Sequence, residues 1–336
     1  MSVMGRLVRI AAPFGVFALS RLMTRHAPRV LMYHRFSPEP APGAVSAAAL
    51  DRQLAQIARH YHTFTMAEAI QRYYEGEGLP PNSVVITIDD GYRDFYDVAW
   101  PLFRKHGVQA TLYVTTGFID GETWLWPDRV KRCIQGGRFS RAITLGHVVV
   151  PAGRVSEAAQ DALCHALYSV LLSVSDDEKN RMLLELEEAS GLYPAGQIEP
   201  PWSPCSWDEL QRMQDEGLEI GGHTVSHPSL GRVSRRQAED EIHGCAERIS
   251  QVLGQRIRSF CYPNGTPSDY TTEVMEIVRQ AGFVGAVTAF HDDMGWKHRY
   301  AIRRFSGCED AFQFGKALHG VEWLSNRSRR HVLSNP

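Results

Sequence analysis

Two short stretches carry residues whose types and spacing can do chemistry together. In "SVVITIDDGYRD" (83–94) an apolar run ends in adjacent carboxylates, Asp89 and Asp90, followed by Gly91. Like charges side by side are unfavourable unless a cation sits against them or one of them holds a proton. In "IGGHTVSHPSL" (220–230) His223 and His227 stand four residues apart. On a helix or a helix-like turn that spacing puts both imidazoles on one face. Two histidines and one aspartate are a standard set of three protein ligands for a divalent metal, with a fourth position open to water. The two carboxylates then divide the work. One ligates the metal, whose charge offsets the repulsion, and its neighbour, aimed differently, acts on water as a general base. A bound metal lowers the pKa of water from about 15.7 to about 7, which makes a carboxylate base adequate near neutral pH.

Such residues need a frame that brings them together. Short apolar, β-rich runs recur along the chain: "RVLMYH" (29–34), "SVVITID" (83–89), "ATLYVTT" (110–116), "LEIGGHT" (218–224), "IRSFCYP" (257–263), "FVGAVTA" (283–289) and "YAIRRFS" (300–306). Several are continuously apolar, as expected of strands covered on both faces. Helical patterns such as "SWDELQRMQDEG" and "SRRQAEDEIHGCAERISQVLG" separate them, and strand–helix alternation is the mark of an α/β fold with a parallel sheet. Seven strands favour a barrel one unit short of the usual eight over an open doubly wound sheet. His34, Asp89, Asp90, His223, Asn264 and Arg303 all fall at or just past strand ends, and in a parallel barrel those C-terminal ends converge on the face where active sites are built.

The rhythm breaks between about residues 124 and 206, where two strong helical patterns precede the Pro-rich "EPPWSPCSW". This reads as a helical insertion after the third strand, packed over one rim. Trp124 and Trp126 in "TWLWPDRV" stand on the loop after that strand, placed either to stack on a sugar face or to pack the inserted helices. The domain reading is residues 1–28 as an amphipathic or packing helix, 29–320 as a catalytic domain containing the insertion, and 321–336 as a tail.

Composition narrows the class. At 336 residues and 43% hydrophobic content, the chain can bury one large catalytic domain. A net charge of -2 gives no reason to expect nucleic acid as a partner. The six cysteines form no CxxC pair and read as reduced core thiols, which fits a cytoplasmic protein. The apolar run Ile10–Leu19, flanked by Arg6, Arg9, Arg21 and Arg25, is shorter than the roughly 20 residues a membrane span needs. It reads as a packing helix, a peripheral membrane contact or, with the poor cleavage site "ALSRLMTRH", a signal segment.

"TIDDGY" followed downstream by "HTVSHPSL" resembles the first two motifs of the polysaccharide deacetylase superfamily, the NodB-homology carbohydrate esterases. "LMYHRF", "ATLYVTTGFI", "FCYPNG" and "AIRRF" are similar to further landmarks of the branch that begins with a Tyr-His strand. The resemblance covers roughly residues 29–306. It implies a distorted (β/α)7 barrel and a metal-dependent N-deacetylase activity, with Asp89 as catalytic base and Asp90, His223 and His227 as metal ligands. The family's third motif usually carries an arginine, as Arg-x-Pro-aromatic, that holds the base. Here Cys261 stands in the arginine's place and Asn264 in the aromatic's, so Arg303 or Arg304 at the last strand end becomes the expected partner of Asp89, with Arg303 preferred. Backbone N–H groups near Tyr262 and Asn264 are the expected oxyanion donors, and Trp126 a substrate contact. The family's Leu-x-His motif has no good counterpart near Leu318 and His319, so the resemblance assigns the general acid to His34.

The expected activity is hydrolysis of N-acetyl groups from amino sugars of a polysaccharide or glycoconjugate, releasing acetate. The cofactor is a divalent metal, Zn²⁺ first, with Co²⁺, Ni²⁺ or Mn²⁺ accepted by the same ligands. An N-acetylated glycan or glycolipid is the expected partner, and the cytoplasm, with membrane association through the N-terminus, the expected location. Two alternatives stand beside this: deacetylation or deformylation of a lipid-linked sugar or another non-peptide amide, and a catalytically silent glycan-binding protein.

Overall fold

Seven apolar runs become seven parallel strands: β1 Arg29–Tyr33, β2 Ser83–Ile88, β3 Thr111–Val114, β4 Glu219–Gly222, β5 Ser259–Cys261, β6 Gly285–Val287 and β7 Phe305–Ser306. The structure is a computed structural model and describes residues 15–324 apart from 77, 194–197, 199, 291 and 293–294. Neighbours in space are neighbours in sequence. β1 pairs β2 from Arg29↔Val84 to Tyr33↔Ile88, and β3 pairs β4 from Thr111↔Glu219 to Val114↔Gly222. The ring curls round until β7 meets β1 at Leu31↔Phe305. Between β6 and β7 it closes through a single parallel bridge, Val287↔Ile302. One distortion lies at β2. β3 covers only Thr87 and Ile88 of its edge, and the short strand His62–Phe64 takes the lower half, from His62↔Ser83 to Phe64↔Val85. The expected α/β architecture, a distorted barrel of seven parallel strands, is what forms.

Alternation along the strands sorts the side chains. Val30, Val85, Tyr113, Cys261, Val287 and Ile302 form one cluster inside the ring. Leu31, Val84, Ile86, Leu112, Ile220 and Phe260 face outward into a larger cluster with the surrounding helices. The helices start where the sequence provides caps. Ser206 with Glu209 and Ser234 with Gln237 each form a reciprocal capping box, opening helices Trp207–Asp215 and Arg235–Leu253.

Between β3 and β4 the chain leaves the ring. Helices Trp126–Gly136, Glu157–Leu171 and Asp176–Ser190 and the antiparallel hairpin Ile143–Leu145/Val148–Val150 pack round their own apolar cluster, which includes Trp126, Val130, Ile134, Leu167 and Leu186. Arg129 crosses it with a two-pronged bond to Glu187, at 2.6 and 2.9 Å. The N-terminal expectation falls partly outside the described residues; from Val16 to Met23 the chain is helical. Of the C-terminal tail, 325–336 also lie outside them.

Candidate active site

The strand periodicity that builds the ring also aims its upper residues. Asp89, His223 and Cys261 share the inward parity of Val85, Gly221 and Ser259, so their side chains meet above the apolar core, where all three are buried. Asp90 would point outward if β2 continued. Instead it sits at φ 78°, followed by Gly91 at φ 94°, and this left-handed turn swings its carboxylate in beside its neighbour's. The φ of 94° is what favours glycine here, and a Cβ on Gly91 would also crowd Ile119 Cδ1 at 2.9 Å and Val114 Cγ1 at 3.2 Å. The histidine pair rests on a loop, not a helix. Thr224 and His227 both have positive φ, at 70° and 61°, and the Thr224 hydroxyl accepts the His227 N–H at 3.0 Å. Glu241 fixes the loop by accepting the Val225 and Ser226 N–H groups at 2.8 and 2.9 Å. Four non-glycine residues with left-handed backbone (Asp90, Thr224, His227 and Asn264) lie in the strand-end loops of this site. Such strain persists only where surrounding structure over-determines it, and it clusters at functional sites.

The geometry fits a cation. Nε2 of His223 and Nε2 of His227 each lie 3.4 Å from Oδ1 of Asp90, and the three ligand atoms lie within 4.8 Å of one another. Nδ1 of His223 is 2.8 Å from the Cys261 carbonyl, which can only accept. Nδ1 therefore carries a proton and Nε2 is the ring nitrogen aimed at Asp90, the outer-shell arrangement usual for metal-ligating histidine. Oδ1 of Asp90 is buried without a hydrogen-bond partner among the described residues. Burial alone would raise the Asp90 pKa, but the imidazoles of His223 and His227 outweigh it and hold the carboxyl well below its usual range. A buried, ionised carboxylate with an unpartnered oxygen between two imidazole nitrogens is a donor set for Zn²⁺ or a similar ion.

Asp89 answers to a different partner. Arg304, fully buried, donates from Nη1 to Oδ1 and from Nη2 to Oδ2, both at 2.7 Å. Two of its other donors go to the Thr288 carbonyl at 2.6 Å and the Thr87 hydroxyl at 3.0 Å. Burial pushes the Asp89 carboxyl up and Arg304 more than offsets it, so the net shift is downward. Arg303, the preferred choice from sequence, is a correction. It points to the rim, donating to Tyr270 Oη at 2.7 Å and pairing Asp292 at 3.1 Å, with Phe290 beneath it. One residue of parity separates the two arginines. Cys261 donates its Sγ–H to Asp89 Oδ2 at 3.5 Å and receives Arg304 Nη2 at 3.1 Å. Burial pushes the thiol up, so it is an inert packing neighbour of the ion pair and not a nucleophile. His34 Nε2 lies 3.7 Å from Asp89 Oδ2, and its side chain is 44% exposed against 3% for Asp89, so His34 forms the solvent edge of the site.

Two further expectations are corrected. Trp126 opens an inserted helix and is buried in the insertion's core, its ring edge-on to Tyr168 at 5.4 Å; it offers no face to a sugar. Tyr262 is fully buried, its hydroxyl bonded to the Tyr300 carbonyl at 2.9 Å and its N–H to the Val287 carbonyl at 3.2 Å. An N–H already spent on the neighbouring strand stabilises no oxyanion. Asn264, at φ 59°, retains a buried Nδ2 without a partner among the described residues.

Sequence reasoning passed over a further buried carboxyl, Asp128. Tyr92, two residues beyond Asp90, donates to Asp128 at 2.6 Å, and the Arg35 guanidinium lies 3.9 Å from the Tyr92 ring centre. Burial pushes the Asp128 pKa up to about 6. The only signal was the aspartate two residues after Trp126 in an apolar stretch. Its folded pKa exceeds the unfolded value of about 3.9, so ionisation costs stability above that pH and nothing below it. Asp128→Asn keeps an acceptor for Tyr92 and removes that cost. We expect it to raise unfolding stability at pH 8 by on the order of 2 kcal/mol and to change little at pH 4. Urea denaturation at both pH values reads this, and an equal effect at both would refute it.

Comparison with known proteins extends the geometry. A sequence model of the family described as polysaccharide deacetylase matches residues 76–158 and 185–286, more than half of the chain. YxkH of Bacillus subtilis (strain 168), which carries the polysaccharide deacetylase name, is 27% identical over 149 residues, covering 42% of this chain and 53% of that protein. The chain thus spans about half the length of the curated relative it matches. Among solved structures, Streptococcus pyogenes deacetylase PplD in complex with acetate aligns over 89% of this chain and 97% of its own, with a TM-score of 0.56 and 17% identity. IcaB from Ammonifex degensii aligns over 88% and 97%, with a TM-score of 0.56 and 19% identity. At these identities the two likenesses speak to the fold.

Proposed function

The chain belongs to the polysaccharide deacetylase family, and on that premise we propose that it hydrolyses N-acetyl groups from amino sugars of a polysaccharide or glycoconjugate, with a divalent metal as cofactor. The observation that carries the reading is the double site on β2: Asp90 between His223 and His227, and Asp89 held separately by Arg304. A glycan-binding module has no use for the second carboxylate.

Asp90, His223 and His227 would hold the cation, Zn²⁺ first by ligand type. When bound there, it supplies Lewis acidity to the amide carbonyl and acidifies water. The protein's own groups do the rest. Asp89 takes the proton of the attacking water. Two of its lone pairs are engaged by Arg304 and a third by Cys261, which leaves the second lone pair of Oδ1 to receive it. Arg304 keeps the carboxylate ionised and fixed, although lowering its pKa also weakens it as a base. His34 Nε2, at the open edge, delivers a proton to the departing amine. Asn264 Nδ2 is the donor that suits the developing oxyanion, and one such donor contributes roughly 2.7–4 kcal/mol.

The test is acetate release from N-acetylglucosamine oligomers by the purified full chain, before and after exhaustive chelation. We expect turnover with metal present, loss of at least about 10²-fold on its removal, and recovery with added Zn²⁺. An unchanged rate in verified metal-free protein refutes the metal, and no acetate from any N-acetylated glycan refutes the substrate class.

A further inference from the structure

The segment that precedes β1 has a composition unlike the rest of the chain. Residues 1–28 contain Arg6, Arg9, Arg21 and Arg25 and no aspartate or glutamate. Within it, helix Val16–Met23 exposes Leu19, Leu22 and Met23 to 59%, 57% and 65%. Their spacing of three and four residues places them on one helical face.

The orientation of this helix is fixed by its other side. Ser20 donates to the His319 carbonyl at 2.8 Å, and the Phe17 ring packs against His319 and Phe312 at 5.1 and 6.0 Å. The outward face is therefore what remains after the helix has docked. Arg21 and Arg25 lie on the segment itself, and helix Ala47–His60 carries Arg59 and His60 in its last turn. Burial and the charges of Arg21 and Arg59 lower the His60 pKa, so both guanidinium groups stand within electrostatic reach of that imidazole. The helix also has a defined place on the barrel. The start of β1 reaches back to it, Arg29 donating to the Thr24 carbonyl at 2.7 Å, and Asn82, just before β2, donates to the Arg25 carbonyl at 2.6 Å. It covers the N-terminal strand ends, opposite His34, Asp89, Asp90 and His223.

We propose that this face docks on an anionic bilayer surface, with Leu19, Leu22 and Met23 entering the headgroup boundary and the arginines meeting lipid phosphates. An apolar helix face rimmed by cations is the pattern of an interfacial contact. A second copy fits poorly, since a two-fold contact would set one cationic rim against another across only three apolar side chains. Among the described residues no helix is long and apolar enough to cross a membrane, so the contact is peripheral. A consequence, resting on the deacetylase reading, is that the docked site opens away from the lipid. It would meet glycan that extends from the surface or is free in solution, not a sugar headgroup of the same leaflet.

Vesicle co-sedimentation of the full chain without substrate tests the docking independently of activity. Phosphatidylglycerol-rich and pure phosphatidylcholine vesicles are compared at low and high salt. The wild type is expected to bind the anionic vesicles at least about tenfold more tightly, with the difference collapsing at high salt. The triple variant Leu19→Ser, Leu22→Ser, Met23→Ser and the double variant Arg21→Gln, Arg25→Gln should each lose about tenfold in binding. Both should keep wild-type acetate release from soluble oligomers. No binding, or equal binding to both vesicles, overturns the proposal. So does a dimer that the triple variant abolishes, which makes a second copy the occupant, or a lowered Tm in that variant, which shows the face packed by the chain itself.

Discussion

Asp89→Asn is expected to lower kcat for acetate release by about 10²–10⁴-fold while the protein retains its full complement of metal, the range a positioned general base contributes. His223→Ala is expected to lose metal and turnover together. The contrast follows from the two carboxylates answering to different partners. Asp90 lies 3.4 Å from both imidazole nitrogens, whereas Asp89 is bonded to Arg304 at 2.7 Å through each oxygen. An amide at position 89 leaves the His223, His227 and Asp90 atoms untouched, so elemental analysis should return wild-type metal. It removes the charge that receives the proton in the proposed mechanism and sets an –NH₂ against an Arg304 donor. Some loss of Tm therefore accompanies the kinetic loss, and the assay belongs well below the variant's midpoint. Wild-type kcat in Asp89→Asn would remove it as the base. Loss of metal in the same variant would mean that Asp89 and Asp90 act as one ligand set.

Arg304→Met is expected to destabilise the fold by about 3–5 kcal/mol, the usual cost of stranding one member of a buried ion pair. Both partners are buried, and the guanidinium also serves the Thr288 carbonyl and the Thr87 hydroxyl, so truncation strands two further acceptors. Arg304→Lys should recover only part of the loss, because an ammonium cannot fork across two carboxylate oxygens. The dependence on pH has a definite sign. The Asp89 pKa is lowered in the folded state, so its stabilising share is present above the unfolded value of about 3.9 and is lost as pH falls through the folded value. The gap between wild type and Arg304→Met in urea denaturation should therefore narrow on acidification below about pH 4 and be widest near neutrality. A gap of under about 1 kcal/mol at pH 7 would mean that water reaches the pair. Returning the arginine to the motif position, as Cys261→Arg in the Arg304→Met background, should restore part of both stability and turnover. The Cys261 sulfur already lies 3.5 Å from Asp89 Oδ2 and 3.1 Å from the guanidinium.

Sequence by itself determined the ring and singled out the residues on its rim. All seven strands were legible because each is a short β-rich run, several of them continuously apolar, stopped by polar or glycine residues, a pattern set by local chain chemistry and by burial on both faces. Asp89, Asp90, His223 and His227 were legible for a related reason. Adjacent carboxylates are unfavourable without a cation or a shared proton, and the histidine pair, ordinary by itself, pointed to a metal only in combination with them. Tertiary structure decided which partner each group meets. Arg303 and Arg304 are neighbours of identical type, and only the register in which the chain crosses from the Ile302 bridge into β7 sends Arg304 inward to Asp89. The Tyr262 N–H was spent on Val287, a strand away in space and 25 residues on in the chain. Trp126 was claimed by the insertion's own core, a contest between burial and display that depends on how three distant helices pack. The left-handed turn at Asp90 was hinted at by Gly91, but its result was not: two adjacent side chains on one strand face the same site, which strand alternation alone forbids.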